Sequence, residues 1–148
     1  MSETGMAMPP RIGEWRAGRK EVPLRIGALK LKLQLMCGDQ IALGPGKADL
    51  LEAIDSQGSI SGAGRALGMS YRRAWLLVDE MNHCFADSLV ETLTGGGRDR
   101  GARVTAAGRA VLAAYRELET AAERATDISA RLTLTERLLD APADRNDA

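Results

Sequence analysis

Gly58–Phe85 reads GSISGAGRALGMSYRRAWLLVDEMNHCF, and the fold turns on this stretch. Ser59 is placed to cap a short helix, its hydroxyl accepting one of the backbone N–H groups that a helix start leaves unpaired. Ile60, Ala63 and Leu67 share one face of that helix. Gly62 and Gly64 lower its intrinsic propensity, which predicts that a second helix packs very close to it. Gly68 stands where a tight turn needs a left-handed backbone. Ser70 can cap a second helix, whose buried face is Ala74, Leu77 or Val78, Met81 and Phe85. Arg72, Leu76, Asp79 and His83 fall on its other side. Two short helices joined at Gly68-Met69, the second opening Ser70-Tyr71-Arg72-Arg73, have the layout of a helix-turn-helix that reads duplex DNA.

Working outward, Leu89 to Leu93 reads as a short strand, Thr94 to Gly101 as a glycine-rich loop and Arg103-Val104 as the return strand, the pattern of a wing. Upstream, leucines at 29, 31, 33 and 35 alternate with Lys30, Lys32 and Gln34, the period of a half-buried strand. Gly38-Asp39 supplies a turn, and Ile41 to Leu43 can pair back as a hairpin. Gly44-Pro45-Gly46 opens a helix with Leu50, Leu51 and Ile54 on its apolar face, and Gly58 ends it. Thr105 is a plausible N-cap for a last helix from about Ala106 to Leu132. Along it Val111, Tyr115, Leu118, Ala122, Ala125, Ser129 and Leu132 recur at alternating three- and four-residue steps, the spacing of a dimer seam. The expected fold class is mainly α with small β-hairpins: a winged helix-turn-helix with a long C-terminal dimerisation helix. Residues 1–25 read as a flexible basic arm, 26–132 as the DNA-binding and dimerisation domain, and 133–148 as a tail. For Met1–Pro23, a tail without function and a non-specific DNA contact are both open.

At 148 residues the chain suits one domain with extensions. Aromatics are only 3% of it, so the core must be built mainly from Leu, Val, Ile, Ala and Met. The formal net charge is zero, which argues against a uniformly basic coat, but a nucleic-acid reader needs only a local positive face. Arg11 to Lys32 holds seven basic residues against Glu14 and Glu21. Two cysteines, Cys37 and Cys84, make no disulfide framework and no CxxC. No apolar run approaches the roughly 20 residues that span a bilayer, and the N-terminus has no signal-peptide core. A cytoplasmic protein with free thiols and no membrane partner is expected.

GSISGAGRALGMSYRRAW, followed by DEMN, LVET, TGGG and VTAAG, resembles the N-terminal DNA-binding domain of the molybdate-responsive transcriptional regulator family, ModE. The correspondence covers about Leu29 to Leu132. Ser59 to Asn82 is its specific part, above all the SYxxAW element and the EMN after it. VTAAGRAVL is similar, more distantly, to the end of the LysR-type winged domain. The resemblance implies a dimeric winged helix-turn-helix on palindromic operators, with Ser70, Tyr71, Arg72 and Arg73 opening the recognition helix and Thr94 to Gly97 on the wing. Family members also carry a C-terminal pair of small β domains that bind molybdate. The chain ends shortly after the long helix, so molybdate binding by this polypeptide, and any cofactor, is not expected.

The candidate DNA-binding residues are Ser70, Tyr71, Arg72, Arg73, Arg65, Thr94, Arg98, Arg100 and Arg103. An arginine in the first turn of a groove-reading helix can hydrogen-bond guanine O6 and N7, worth about 1–3 kcal/mol of discrimination; otherwise Arg72 and Arg73 are a solvated pair. Tyr71 reaches a phosphate or packs on the preceding helix. Trp75 is expected in the core, and Leu76 meets a thymine methyl or solvent. Arg65 contacts the DNA backbone or an acidic neighbour. Arg98, Arg100 and Arg103 surround glycines that let the backbone approach a phosphate or minor groove, or they decorate a flexible polar tip. TGGG lacks the lysine-serine or lysine-threonine pair of a phosphate loop. One rival reading is a metal- or redox-responsive regulator using Cys37, His83 and Cys84, although adjacent His83 and Cys84 point about 100° apart on a helix. Another is a winged helix kept for protein contacts after losing DNA. No metal site and no catalytic residue is expected: there is one histidine and no nucleophile motif.

Overall fold

The computed structural model describes residues 24–93 and 101–146. Its elements run β1 (Leu24–Ile26), β2 (Leu29–Leu31), β3 (Leu35–Cys37), β4 (Gln40–Leu43), α1 (Pro45–Gln57), α2 (Ile60–Leu67), α3 (Tyr71–Cys84), β5 (Val90–Thr92), β6 (Ala102–Val104), α4 (Ala106–Ala125) and α5 (Ser129–Glu136). The strands form separate antiparallel hairpins, β1–β2, β3–β4 and β5–β6. With the turn between α2 and α3 this is a winged helix-turn-helix, mainly α, as the sequence predicts.

The alternating leucines do not form one strand. Leu29–Leu31 pairs back on Leu24–Ile26, while Leu35–Cys37 pairs forward on Gln40–Leu43. Gly27 and Gly38 both adopt left-handed backbone, φ 59° and 58°, and each folds its own hairpin. Period two reports a strand-like backbone but not a change of partner, so the sequence pattern merged two hairpin arms.

Helix α1 is central and packs on α2, α3 and α4 and on β4 and β6. Ala48, Leu50, Leu51 and Ile54 are buried along it. It ends at Gly58, whose N–H donates to the Ile54 carbonyl at 2.8 Å. The core around it contains Leu43, Ile60, Ala63, Ala74, Val78, Met81, Leu89, Val104 and Leu112, with Tyr115 the only aromatic among its buried members. Each fully buried Leu or Ile contributes about 1.5–3 kcal/mol.

VTAAG has a local explanation. Thr105 accepts a hydrogen bond from Gly108 N at 3.0 Å and donates its hydroxyl to the Ser88 carbonyl at 2.6 Å. A Cβ on Gly108 would stand 2.2 Å from the Leu89 carbonyl oxygen. Only glycine lets α4 start this close to the strand.

The long helix predicted from Ala106 to Leu132 is two helices. Thr126 donates its hydroxyl to the Glu123 carbonyl at 2.8 Å, Asp127 holds Arg131 at 2.8 Å, and Ile128 is extended with φ −133°. Side chains that bond their local backbone compete with helix continuation, and here they end α4 before α5 restarts.

Between α1 and α4 lies a buried ion cluster. Arg116, 2% exposed, donates from Nε to Glu52 at 2.7 Å, and its two terminal nitrogens bond Glu119 at 2.7 Å and Asp49 at 2.9 Å. Burial alone would lower the Arg116 pKa; hydrogen bonds to Glu119 and Asp49 and the Glu52 charge reverse that and hold it above its ordinary value.

Candidate nucleic-acid interface

Ser59 caps α2 by accepting from Gly62 N at 2.9 Å, and Ser70 caps α3 by accepting from Arg73 N at 3.1 Å. Between them Gly68 is left-handed, φ 70°, and Met69 N returns to the Gly64 carbonyl at 2.9 Å. A Cβ on Gly64 would lie 3.3 Å from the Ala74 Cβ, so the expected close helix crossing is at Gly64. Gly62 has a different reason: a Cβ there would press on the Ser59 hydroxyl and Gln57.

The buried stripe of α3 is Ala74, Val78 and Met81, with Leu77 and Phe85 partly buried beside it. At about 100° per residue, Arg72, Leu76, Asp79 and His83 point the opposite way. Leu76 is 44% exposed, and Arg72 is exposed too. Tyr71 and Trp75 flank this face on one side. Trp75 is 45% exposed, which corrects the expectation of a core residue: Ala74, one position earlier, fills the site against α2, and the indole is turned outward. Arg73 lies on the other flank. It lines a polar recess with Lys32, Gln34, Lys47 and Glu80, at the start of α1 and beside β4. The structure therefore separates the two arginines, one at the centre of the outer face and one at its edge.

Arg65 is exposed and donates to the Ser61 hydroxyl at 2.8 Å, one turn earlier on its own helix. Arg103 is exposed on β6 and is ion-paired with Glu91 across the wing hairpin. Thr94, Arg98 and Arg100, like Met1–Pro23, lie outside the described residues. His83 Nδ1 stands 2.7 Å from the Asp79 carbonyl oxygen and 3.4 Å from its carboxylate. Among the described residues no group of three or more His, Cys, Asp or Glu is gathered to hold a metal ion.

A residue that sequence reasoning used only as a motif letter joins α3 to the wing. Asn82 Nδ2 donates to the Val90 carbonyl at 2.9 Å, and its Oδ1 accepts from Leu89 N at 2.9 Å and Val90 N at 3.2 Å. The side chain thereby completes the edge of β5. On the other strand, Ala102 N donates to the Gly58 carbonyl at 2.9 Å. The wing is braced against α3 at its base and, at the loop end of β6, against the α1–α2 junction.

A second surface faces elsewhere. Leu33, Leu35, Leu43 and Phe85 on one wall, and Val111, Leu118, Ala122 and Ala125 on the other, line an apolar groove of about 580 Å³ between the β3–β4 region and α4. Tyr115 lies at its floor, its hydroxyl donating to the Leu33 carbonyl at 2.9 Å. Leu118 is 61% exposed. None of the helices described is long and apolar enough to cross a membrane.

No family model matches the chain. Among curated proteins, it is 42% identical over 86 residues to the molybdenum-pterin-binding protein MopA of Rhodobacter capsulatus, covering 58% of this chain and 32% of that one. It is 35% identical over 100 residues to the DNA-binding transcriptional dual regulator ModE of Escherichia coli strain K12, covering 68% of this chain and 37% of the relative. A full-length LysR-type regulator, LysG of Corynebacterium glutamicum with bound arginine, matches at 27% identity with a TM-score of 0.42, over 68% of this chain and 31% of that one. The chain thus spans about a third of the length of the curated relatives it matches. Over more than half of its own length, this chain resembles the ModE family of regulators.

Proposed function

We propose that this chain is a sequence-specific reader of duplex DNA that acts as a homodimer in transcription regulation, in the cytoplasm and in the service of molybdenum homeostasis. The single observation that carries the reading is the outer face of α3. It starts at a tight glycine turn, is capped by Ser70, and presents Arg72 and Leu76 at its centre with Tyr71 and Trp75 beside them. A major groove admits one helix, and the first turns of that helix meet the base edges. The positive end of the helix adds attraction for phosphate. Arg72 is assigned to a base edge, and Arg73 and Arg65 to backbone phosphates. Tyr71 and Trp75 are assigned to the sugar–phosphate wall of the groove.

The homodimer rests on the apolar groove. Its α4 wall offers Val111, Leu118, Ala122 and Ala125 at helical spacing, and a second copy of α4 has the chemistry to fill it. Pairing two reading helices about a two-fold axis matches palindromic half-sites.

The deciding experiment is genome-wide recovery of bound fragments with and without molybdate in the medium. Binding to the recovered operator is then titrated with salt. Expected is a log–log slope of about −0.9 for each phosphate neutralised. Absence of any duplex binding at about 50 mM salt ends the proposal. Exposed Tyr71, Trp75 and Leu76 also suit a protein partner; that second reading requires Arg72→Ala and Arg73→Ala to leave function intact.

A further inference from the structure

Several cations of the folded head are matched by carboxylates: Lys47 pairs with Glu80, Arg103 with Glu91 and Arg109 with Asp55. Lys30, Lys32, Arg72 and Arg73 differ. Among the described residues no carboxylate lies within ion-pairing distance of any of them. The two lysines owe their direction to the leucines around them. Leu29, Leu31 and Leu33 are half-buried, so the alternation turns Lys30 and Lys32 outward, and both are exposed. Lys32 reaches the polar recess of about 460 Å³ that it lines with Gln34, Lys47 and Arg73. The acidic members of that recess are Asp39 and Glu80, and Glu80 is already held by Lys47 at 2.9 Å. Lys30, Lys32 and Arg73 thus make a positive strip from β2 to the first turn of α3.

The strip has a definite place relative to the wing. At about 100° per residue, Arg73 and Glu80 fall on one flank of the outer face of α3. Tyr71, Trp75 and Asn82 fall on the other, and Asn82 holds the base of the wing through Leu89 and Val90. Wing and strip therefore stand on opposite sides of one helix. Phosphates line both edges of a major groove, so a helix lying in it has a backbone along each flank.

We propose that Lys30, Lys32 and Arg73 form a second backbone clamp, which takes the phosphodiesters of a DNA duplex on the flank of α3 away from the wing. The clamp rests on the DNA reading of α3 and extends it to β2. Each phosphate that it neutralises releases condensed counterions from the duplex. Such contacts carry no sequence information, so the clamp sets register and orientation while Arg72 meets the bases. An acidic protein partner would answer the charge, but not its alignment along one flank of a helix whose other flank carries the wing.

The test titrates the full chain against its recovered operator and against an unrelated duplex over a series of salt concentrations, beside Lys30→Gln, Lys32→Gln and the double variant. Expected is a log–log slope shallower by about 0.9 for each lysine removed from each bound copy. Both duplexes should weaken alike, with their affinity ratio unchanged. Lys32→Arg, which keeps the charge, should keep the slope. Phosphate-ethylation interference on the operator should mark both edges of the groove for the unsubstituted protein and one edge for the double variant. An unchanged slope and footprint in the double variant, while the unsubstituted protein binds its operator, would overturn the clamp and leave the DNA reading standing. That is also the result expected if the strip serves an acidic protein. A collapse of the affinity ratio would overturn it too, by making the lysines base contacts. Absence of duplex binding by the unsubstituted protein ends the DNA reading and the clamp together.

Discussion

At Trp75 the helix sets an indole about 100° beyond the buried Ala74, and nearly half of it stays exposed. On the proposed DNA reading, this large aromatic left open beside Arg72 serves as a contact and not as a structural element. Trp75→Ala should therefore weaken operator binding about tenfold or more while changing stability within about 0.5 kcal/mol; anisotropy titration and thermal denaturation of the same preparation check both halves. A drop in stability of several kcal/mol would return Trp75 to the core. Arg72→Ala should cost about 1–3 kcal/mol of discrimination at one base pair, read by competition with singly substituted operators. Arg103→Ala removes an exposed pair with Glu91 and should change stability by less than about 1 kcal/mol. Caps and turn glycines at this scale were legible in the sequence, because Ser59, Gly68, Ser70 and Thr105 act on their own neighbours. Trp75 was not: hydrophobicity speaks for burial, although the helical spacing already set Ala74, one position earlier, on the buried face.

Between elements, a few buried polar contacts supplement the apolar core, and single changes in them should act strongly. Arg116 bridges buried Asp49, Glu52 and Glu119, and removing it takes a buried positive charge away from three carboxylates. Arg116→Ala should destabilise by about 3–5 kcal/mol, measured by urea denaturation. The sign of its pH dependence follows from its raised pKa: its contribution is complete below the ordinary arginine value and fades only as pH rises beyond it. Denaturation midpoints from neutral to moderately alkaline pH should accordingly show no loss traceable to Arg116. Asn82→Ala strands the Leu89 and Val90 N–H groups at the base of the wing and should cost about 1–3 kcal/mol, with faster hydrogen exchange confined to β5 and β6. Helix types and order were legible from apolar periodicity. The split of the leucine run into two hairpins and the break at Thr126–Ile128 were not, since both depend on which residues find partners and not on their spacing. The buried cluster was equally hidden, its members lying 64 to 67 residues apart in the Arg116–Glu52 and Arg116–Asp49 pairs.

For the whole molecule, the outer face of α3 and the apolar groove are distinct surfaces, one proposed for DNA and one for a second copy. Leu118→Glu places a charge in the groove and should shift sedimentation from dimer to monomer with the fold intact; operator affinity should then fall and the salt slope approach half its value, as one half-site is lost. A variant that stays dimeric would move the seam elsewhere, towards exposed Leu132, Leu134, Leu138 and Leu139 on and after α5. The Asn82 brace has a consequence for the nucleic acid itself. On the proposed DNA reading, with one jaw set by α3 and the other by a hairpin pinned to it, the protein acts as a fixed-gauge caliper. A duplex whose grooves do not match the opening must bend or change width to be gripped, so stiffness at base pairs that no side chain touches becomes part of what is read.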